Sequence, residues 1–168
     1  MKKIVLPVAL ALLGMNAGAY AADVSIDILS ATVKDKRIEG ASVTLQRNGA
    51  QSVSGITNTS GSISLGTSFA DNKDALLIVK KEGYSNLVVK CPCAGMTYAI
   101  SPVMTNLDGM RVVLSWGEKP FDLDSHLIFP GGHIYFDSKE GTDANLDVDD
   151  TDSYGPETVT ISKKIGRA

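Results

Sequence analysis

The sequence has few of the residues that metal sites and catalytic centres most often use. Its 168 residues include two cysteines and two histidines, whereas a zinc site usually takes three or four such ligands. Residues 22–105 contain no histidine, which excludes a serine, histidine and carboxylate triad in that half. No apolar run reaches the roughly 20 residues of a membrane-spanning helix. The chain therefore carries no evident catalytic centre.

The first 21 residues have the pattern of an export signal. Lys2 and Lys3 precede an apolar run at residues 4–13, and small residues follow up to Ala21. This order predicts a signal peptide that is cleaved after an Ala-x-Ala site. We expect a periplasmic protein of 168 − 21 = 147 residues, without membrane insertion after signal cleavage. A secreted or cell-surface location is the alternative.

Acidic residues are concentrated in the second half of the chain. Residues 22–105 carry eight Lys and Arg against seven Asp and Glu, whereas residues 106–168 carry six against twelve, a net charge of −6. A surface of this charge repels nucleic acid and anionic membranes and attracts cations. We therefore expect no nucleic-acid partner.

The two cysteines are separated by a single proline, in Cys91-Pro92-Cys93. Thiols of exported proteins meet oxidising conditions and tend to pair, which favours a local disulfide. Such a bond requires a turn at Pro92 that brings the two Cα atoms within about 6.8 Å of each other. Two free thiols, a bond to another chain and a pair of soft-metal ligands are the alternatives.

Short segments with alternating or β-branched residues recur along both halves, and turn residues separate them. In the first half they are residues 24–28, 42–46, 55–58, 62–65, 75–80 and 86–90; in the second, residues 110–116, 128–129, 133–136 and 158–162. No stretch keeps a 3.6-residue apolar period long enough for a helix. The pattern predicts an all-β protein whose first half is a sandwich.

Three motifs occur in order within the first half. They are GASVTL at residues 40–45, TNTSGSISL at 57–65 and VKKEGY at 79–84. Together they resemble the carboxypeptidase regulatory-like, transthyretin-like module. The resemblance implies a seven-stranded β-sandwich over residues 22–105 that supports or displays neighbouring domains. Asn58 and Ile63 depart from the family, which usually has Asp and an aromatic residue there.

Two polar stripes mark the second half. If residues 122–126 are extended, Asp122, Asp124 and His126 share one face, and residues 143–149 repeat the pattern. The candidate metal ligands are Asp122, Asp124, Asp143, Asn145, Asp147, Asp149 and Asp150. Their oxygen atoms suit Ca²⁺, which takes six to eight oxygen ligands, better than Zn²⁺.

The charge of these stripes requires compensation. Two carboxylates about 5 Å apart repel by about 3 kcal/mol at an effective dielectric constant near 20. A bound cation, protonation of one carboxylate, or pairing with Arg111 or Lys119 would offset that repulsion. Because basic residues are scarce here, we favour the cation. A solvated acidic surface without an ion is the alternative.

Four segments of the second half also form a recognisable set. They are LSWG at residues 114–117, DLDSHL at 122–127, LDVDDT at 146–151 and YGPE at 154–157. They resemble the uncharacterised domain of YfaP-type bacterial exported proteins. The resemblance implies a β-rich extracytoplasmic domain over residues 106–168 that includes the acidic stripes, and it implies no activity. Because members of that family extend beyond the strand after YGPE, we expect this domain to be incomplete at its C-terminus.

These features favour a non-enzymatic accessory or binding module of the bacterial envelope that acts with an envelope protein and binds Ca²⁺. A metal-assisted hydrolase is the alternative, with zinc held by His126, His133, Asp122 and Asp124. A third hypothesis is a structural spacer protein. Its core would include Trp116 and Phe121.

Overall fold

A computed structural model describes residues 22–163, and the predicted signal peptide lies outside them. The described chain consists of β-strands joined by turns and loops, and it contains no helix. The predicted all-β class is therefore confirmed. Accordingly, residues 22–163 include no helix with the length and apolar character to cross a membrane.

Seven strands make up the first half. They are β1 (Ala22–Ser30), β2 (Ser42–Arg47), β3 (Val53–Ile56), β4 (Ser62–Thr67), β5 (Ala75–Lys80), β6 (Leu87–Lys90) and β7 (Met96–Ile100). One sheet has the order β4-β1-β7, in which β1 runs antiparallel to β4 and parallel to β7. The other is antiparallel, with the order β3-β2-β5-β6.

The two sheets of the first half share one hydrophobic core. Alternate residues point into it, including Ile26 and Ile28 on β1, Val43 on β2 and Leu77 on β5, all of them at most 3% exposed. Such alternation follows from the two-residue period of a strand. The arrangement is that of a β-sandwich, and the transthyretin-like assignment stays a prediction.

A disulfide lies just after β6. Cys91 and Cys93 are bonded to each other, with their Cα atoms 4.5 Å apart and both residues buried. The Asp71 carboxylate accepts hydrogen bonds from the backbone N–H groups of Cys93 and Ala94, with Oδ2 2.9 and 2.8 Å from the two nitrogens. These bonds fix the turn that the disulfide closes.

Five strands of three to five residues make up the described part of the second half. They are β8 (Met110–Leu114), β9 (Leu127–Phe129), β10 (Gly132–Ile134), β11 (Ala144–Val148) and β12 (Glu157–Ile161). The order β11-β12-β8 forms an antiparallel sheet, and β9 and β10 form a hairpin. Ile134, Leu146 and Val159 are buried in a small core between them, packed with Leu127 and Phe129.

Residues 115–126 connect β8 to β9 without strand structure. Trp116 is buried in this segment, as expected of a core residue. Phe121, which we expected in the core, is 60% exposed. The expectation was wrong because no strand places the Phe121 ring against a sheet.

The two halves share no sheet but contact each other directly. Val113 of β8 packs on a small cluster of buried residues from the first half, Leu29, Ala31 and Ala99. The Lys34 Nζ atom donates a hydrogen bond of 3.1 Å to the backbone oxygen of Asp149. The predicted boundary near residue 105 falls between β7 and β8, and its placement stays a prediction.

A candidate metal centre

The second polar stripe, residues 143–149, runs along β11, as the sequence suggested. Leu146 and Val148 are buried, whereas Asn145, Asp147 and Asp149 on the other face are partly exposed. The alternation arises because successive side chains of a strand point to opposite faces. The stripe is therefore a row of polar groups, but its members have different partners.

Each of its three carboxylates lies near a basic side chain, and Asp143 and Asp147 belong to no group of three potential metal ligands within residues 22–163. Asp143 Oδ1 lies 2.9 Å from Lys163 Nζ, and Asp147 Oδ2 lies 3.8 Å from Arg111 Nε. The Asp147 carboxylate also accepts hydrogen bonds from Thr160 and from the Asn145 side chain. Pairing offsets the repulsion between these carboxylates. Three predicted ligands, Asp143, Asn145 and Asp147, are therefore engaged within the protein.

Two further predicted ligands lie elsewhere. Asp150 is 9% exposed and lines a cleft between the two halves, together with Lys34, Asp35 and Asp152. Burial raises the pKa of Asp150 above its ordinary value, while the backbone N–H of Asp152 and the charge of Lys34 act in the opposite direction. Asp122 is exposed. Neither belongs to a group of three metal-ligating residues within residues 22–163.

The remaining two, Asp124 and Asp149, come together with a residue that we had not predicted as a ligand. Glu157, the first residue of β12, offers a carboxylate oxygen that lies within 4.8 Å of one oxygen from each aspartate. Asp124 is exposed, Asp149 is partly buried and Glu157 is 1% exposed. We call Asp124, Asp149 and Glu157 the carboxylate pocket.

The hydrogen bonding of the carboxylate pocket is incomplete. Asp149 Oδ1 and Glu157 Oε2 are both buried, and neither has a hydrogen-bond partner. The other oxygen of each residue is engaged: Lys139 Nζ lies 2.6 Å from Asp149 Oδ2, and the backbone N–H of Ser125 donates to Glu157 Oε1. Because an unpaired buried polar atom costs about 1 to 3 kcal/mol, these two atoms indicate a missing partner.

The electrostatics of the carboxylate pocket agree with this incompleteness. Burial raises the pKa of Glu157 above its ordinary value, and the negative charges of Asp149 and Asp124 raise it further. Hydrogen bonds from Ser125 lower it. A positive ion beside Glu157 would relieve both the like-charge repulsion and the cost of burial.

The chain reaches Glu157 through a tight turn. Tyr154 has a positive φ of 73° and its N–H donates a 2.9 Å hydrogen bond to the Gly117 oxygen. Gly155 packs against Trp116, where an added Cβ would lie 2.2 Å from a ring carbon. Only glycine fits there, and this close approach brings Glu157 beside the segment that carries Asp124 and Ser125.

Sequence reasoning overlooked Glu157 because the residue stands next to a turn and begins a β-branched run. A signal was nevertheless present. Glu157 directly precedes the run Thr158-Val159-Thr160-Ile161 and forms with it β12, the central and fully buried strand of its sheet. An acidic residue in such a strand is rare unless it is paired or binds an ion.

The two histidines of the hydrolase hypothesis do meet. His126 Nδ1 and His133 Nε2 lie 2.9 Å apart on the β9–β10 hairpin. Within residues 22–163, however, no group of three metal-ligating side chains includes either histidine. Asp122 and Asp124 therefore do not join the two histidines in the zinc site that the hydrolase hypothesis requires, within this part of the chain.

A second group of potential ligands, Asp71, Cys91 and Cys93, lies in the first half. Both of its sulfur atoms are committed to the disulfide. In this state the group has no thiolate to offer.

Comparison with known proteins gave no relative. No family model, no curated protein and no solved structure matches the chain.

Proposed function

We propose that the chain is a non-enzymatic, exported accessory module of the bacterial envelope whose second half binds one Ca²⁺ ion in the carboxylate pocket. The observation that carries the proposal is the pair of buried, unpartnered oxygens, Asp149 Oδ1 and Glu157 Oε2. Both residues belong to the carboxylate pocket, in which one oxygen of each of the three carboxylates lies within 4.8 Å of the others, a spacing that one cation can bridge.

The donor atoms favour a hard divalent ion. All three side chains bind through oxygen, and when they are ionised their charge of −3 is offset by Lys139 to −3 + 1 = −2. A divalent cation neutralises that remainder. Three carboxylates leave ligand positions for water or backbone oxygens, which the flexible coordination of Ca²⁺ accepts and the stricter octahedron of Mg²⁺ accepts less readily.

The ion would also have a structural role. Asp124 belongs to the irregular segment 115–126, whereas Asp149 follows β11 and Glu157 begins β12. One ion bound to all three would fasten that segment to the sheet. Because only the folded chain brings the three carboxylates together, the binding energy of the ion adds to the stability of the fold.

The accessory role rests on the resemblances of both halves. The module that residues 22–105 resemble supports or displays other domains, and the YfaP-type domain is found on exported proteins. A positively charged N-terminus followed by an apolar run supports export. We therefore infer an envelope protein as the partner and the periplasm as the location, with no nucleic acid bound and no membrane insertion of the mature chain.

Thermal unfolding of the purified protein tests the ion. The melting temperature is measured in EDTA and then with Ca²⁺, Mg²⁺ or Zn²⁺ at a few millimolar. We expect Ca²⁺ to raise it by several degrees, since an ion at 100 times its Kd stabilises by about 2.7 kcal/mol. Asp149→Asn should abolish the shift, and Asp143→Asn, which removes a charge outside the pocket, should retain it. An equal shift in both variants would contradict the proposal.

A further inference from the structure

The only two histidines of the chain are held side by side on an exposed face of the β9–β10 hairpin. The strands pair with His133 opposite Ile128 and Ile134 opposite Leu127. Continuing this register by one residue places Tyr135 opposite His126. Residues directly opposite in an antiparallel pair share a face, so both histidines lie on the face of Ile128, which is 75% exposed.

The opposite face of the hairpin anchors it. Leu127, Phe129 and Ile134 pack into the core of the second half. The hairpin therefore cannot rotate its histidine face inward without losing that core. This anchoring fixes the backbone beneath His126 and His133.

Neighbouring rings further restrict the two imidazoles. The Tyr135 ring stacks on His133 at 4.4 Å between centroids and on His126 at 5.4 Å, with interplanar angles of 21° and 14°. Phe136 meets His126 edge-on at 6.3 Å. Because such contacts limit rotamer freedom, a ligand that uses both imidazoles meets groups already in place.

We propose that His126 Nδ1 and His133 Nε2 form a two-histidine binding site for a transition-metal ion, Cu²⁺ above all. The two nitrogens are 2.9 Å apart. With metal–nitrogen bonds of about 2.0 to 2.1 Å, ligands at right angles lie about 2.9 Å apart, whereas tetrahedral ligands lie about 3.3 Å apart. The observed spacing matches the right angle of tetragonal Cu²⁺.

The proton balance of binding is simple. In the free protein one imidazole donates its N–H to the other. When the ion binds, that donor carries its proton on its other ring nitrogen, so both rings stay neutral and both facing nitrogens present lone pairs. No net proton is released. The hydrogen bond of the free protein thus holds the nitrogens near the spacing that the ion requires, and each ring turns so that its lone pair points at the ion and not at the other nitrogen.

The site is open and distinct from the carboxylate pocket. Within the described residues no third metal-ligating side chain joins the histidines, so water fills the remaining positions and the ion exchanges readily. Imidazole nitrogen favours borderline transition metals, whereas the carboxylates favour hard ions. The two sites would therefore load independently.

Titration of the full-length protein with Cu²⁺, followed by electron paramagnetic resonance, tests the site. We expect one ion per chain with hyperfine splitting from two imidazole nitrogens, which only His126 and His133 can supply. His126→Ala or His133→Ala should weaken binding at least about tenfold, because losing one of two linked ligands removes the chelate advantage. Ile128→Ala, a change on the same face, should leave binding unchanged.

Three results would overturn the inference: no Cu²⁺ bound at about 100 µM, where a site with a Kd of about 1 µM would be almost saturated; a spectrum without imidazole splitting; or wild-type affinity in either alanine variant. Both histidines are exposed, so these variants should fold. Their Ca²⁺ response, measured in parallel, checks that the carboxylate pocket is intact.

Discussion

Asp149 and Glu157 approach each other where β11 ends and β12 begins, and each keeps one buried carboxylate oxygen without a hydrogen-bond partner. The protein satisfies the other oxygen of each residue, through Lys139 and through the Ser125 N–H. This half-completed arrangement distinguishes the carboxylate pocket from Asp143 and Asp147, which have no buried carboxylate oxygen without a partner within residues 22–163. It leads to predictions that separate ion binding from stability.

Glu157→Gln should stabilise the protein in EDTA and abolish its response to Ca²⁺. The amide removes a buried charge beside two carboxylates and supplies N–H donors to them, which we expect to raise the free energy of unfolding by about 1 kcal/mol at pH 7. Urea unfolding with and without Ca²⁺ measures both effects. A variant that is less stable in EDTA and still responds to Ca²⁺ would assign Glu157 a purely structural role.

Lys139→Met should bind Ca²⁺ more tightly than the wild type, by about three- to tenfold. Lys139 places a positive charge 2.6 Å from Asp149 Oδ2, so its removal frees that oxygen and lowers the repulsion of the ion. Calorimetric titration at two ionic strengths gives the affinity, and the difference should shrink in high salt. Lys163→Met, which removes the partner of Asp143, is the matched control and should leave the affinity unchanged.

Arg111→Met should destabilise the junction of the two halves without affecting Ca²⁺ affinity. Arg111 Nη1 donates to Ser101 Oγ at 2.6 Å and to the Pro102 oxygen at 3.0 Å, and its Nε donates to Thr160 Oγ1 at 2.7 Å. We expect the free energy of unfolding to fall by about 2 to 3 kcal/mol, measured in urea.

A double-variant cycle checks this reading of Arg111. If Arg111 and Asp147 interact, the losses from Arg111→Met and Asp147→Asn should add to more than the loss in the double variant. Strict additivity would show that the 3.8 Å ion pair contributes nothing. A change in Ca²⁺ affinity would contradict the separation of Asp147 from the carboxylate pocket.

Tyr98 should make the stability of the first half fall at alkaline pH. Burial, and to a smaller extent the charge of Asp71, raises the pKa of Tyr98 above 10.0. A raised folded-state pKa means that the neutral phenol favours the fold. Its contribution is complete below the unfolded pKa of 10.0 and is lost as the pH rises through the folded value.

The comparison with Tyr98→Phe isolates this effect. Phenylalanine fills the same core position but cannot ionise, so the variant should lose less stability than the wild type between pH 9 and about 11.5. Urea midpoints across that range provide the measurement. Parallel curves for the two proteins would mean that Tyr98 does not ionise on unfolding.

Strands that have one face in the core and the other toward solvent were predictable from the sequence. β5 begins and ends where its apolar and β-branched run between turn residues predicted, at Ala75 and Lys80, and β2 differs by one residue at Arg47. β7 was missed because Thr97 to Ile100 are all buried, so no alternation marks the strand. Burial on both faces comes from tertiary packing and leaves no two-residue period in the sequence.

The carboxylate pocket was predictable only in part for a similar reason. Strand alternation, continued one residue past β11, placed Asp149 correctly on the polar face, but it could not show which acids meet a basic residue. Lys163 and Arg111 reach Asp143 and Asp147 from other elements. Glu157 joins the pocket only through the turn that packs Gly155 on Trp116, which is a long-range contact.

The most direct test of the account is calorimetric titration of Ca²⁺ into the EDTA-treated and dialysed protein. We predict one ion per chain in the wild type, no binding in Glu157→Gln, and wild-type binding in Asp143→Asn. That result would identify Glu157 as a ligand and locate the ion in the carboxylate pocket. No binding by the wild type at millimolar Ca²⁺, or equal binding by the wild type and Glu157→Gln, would contradict the central claim.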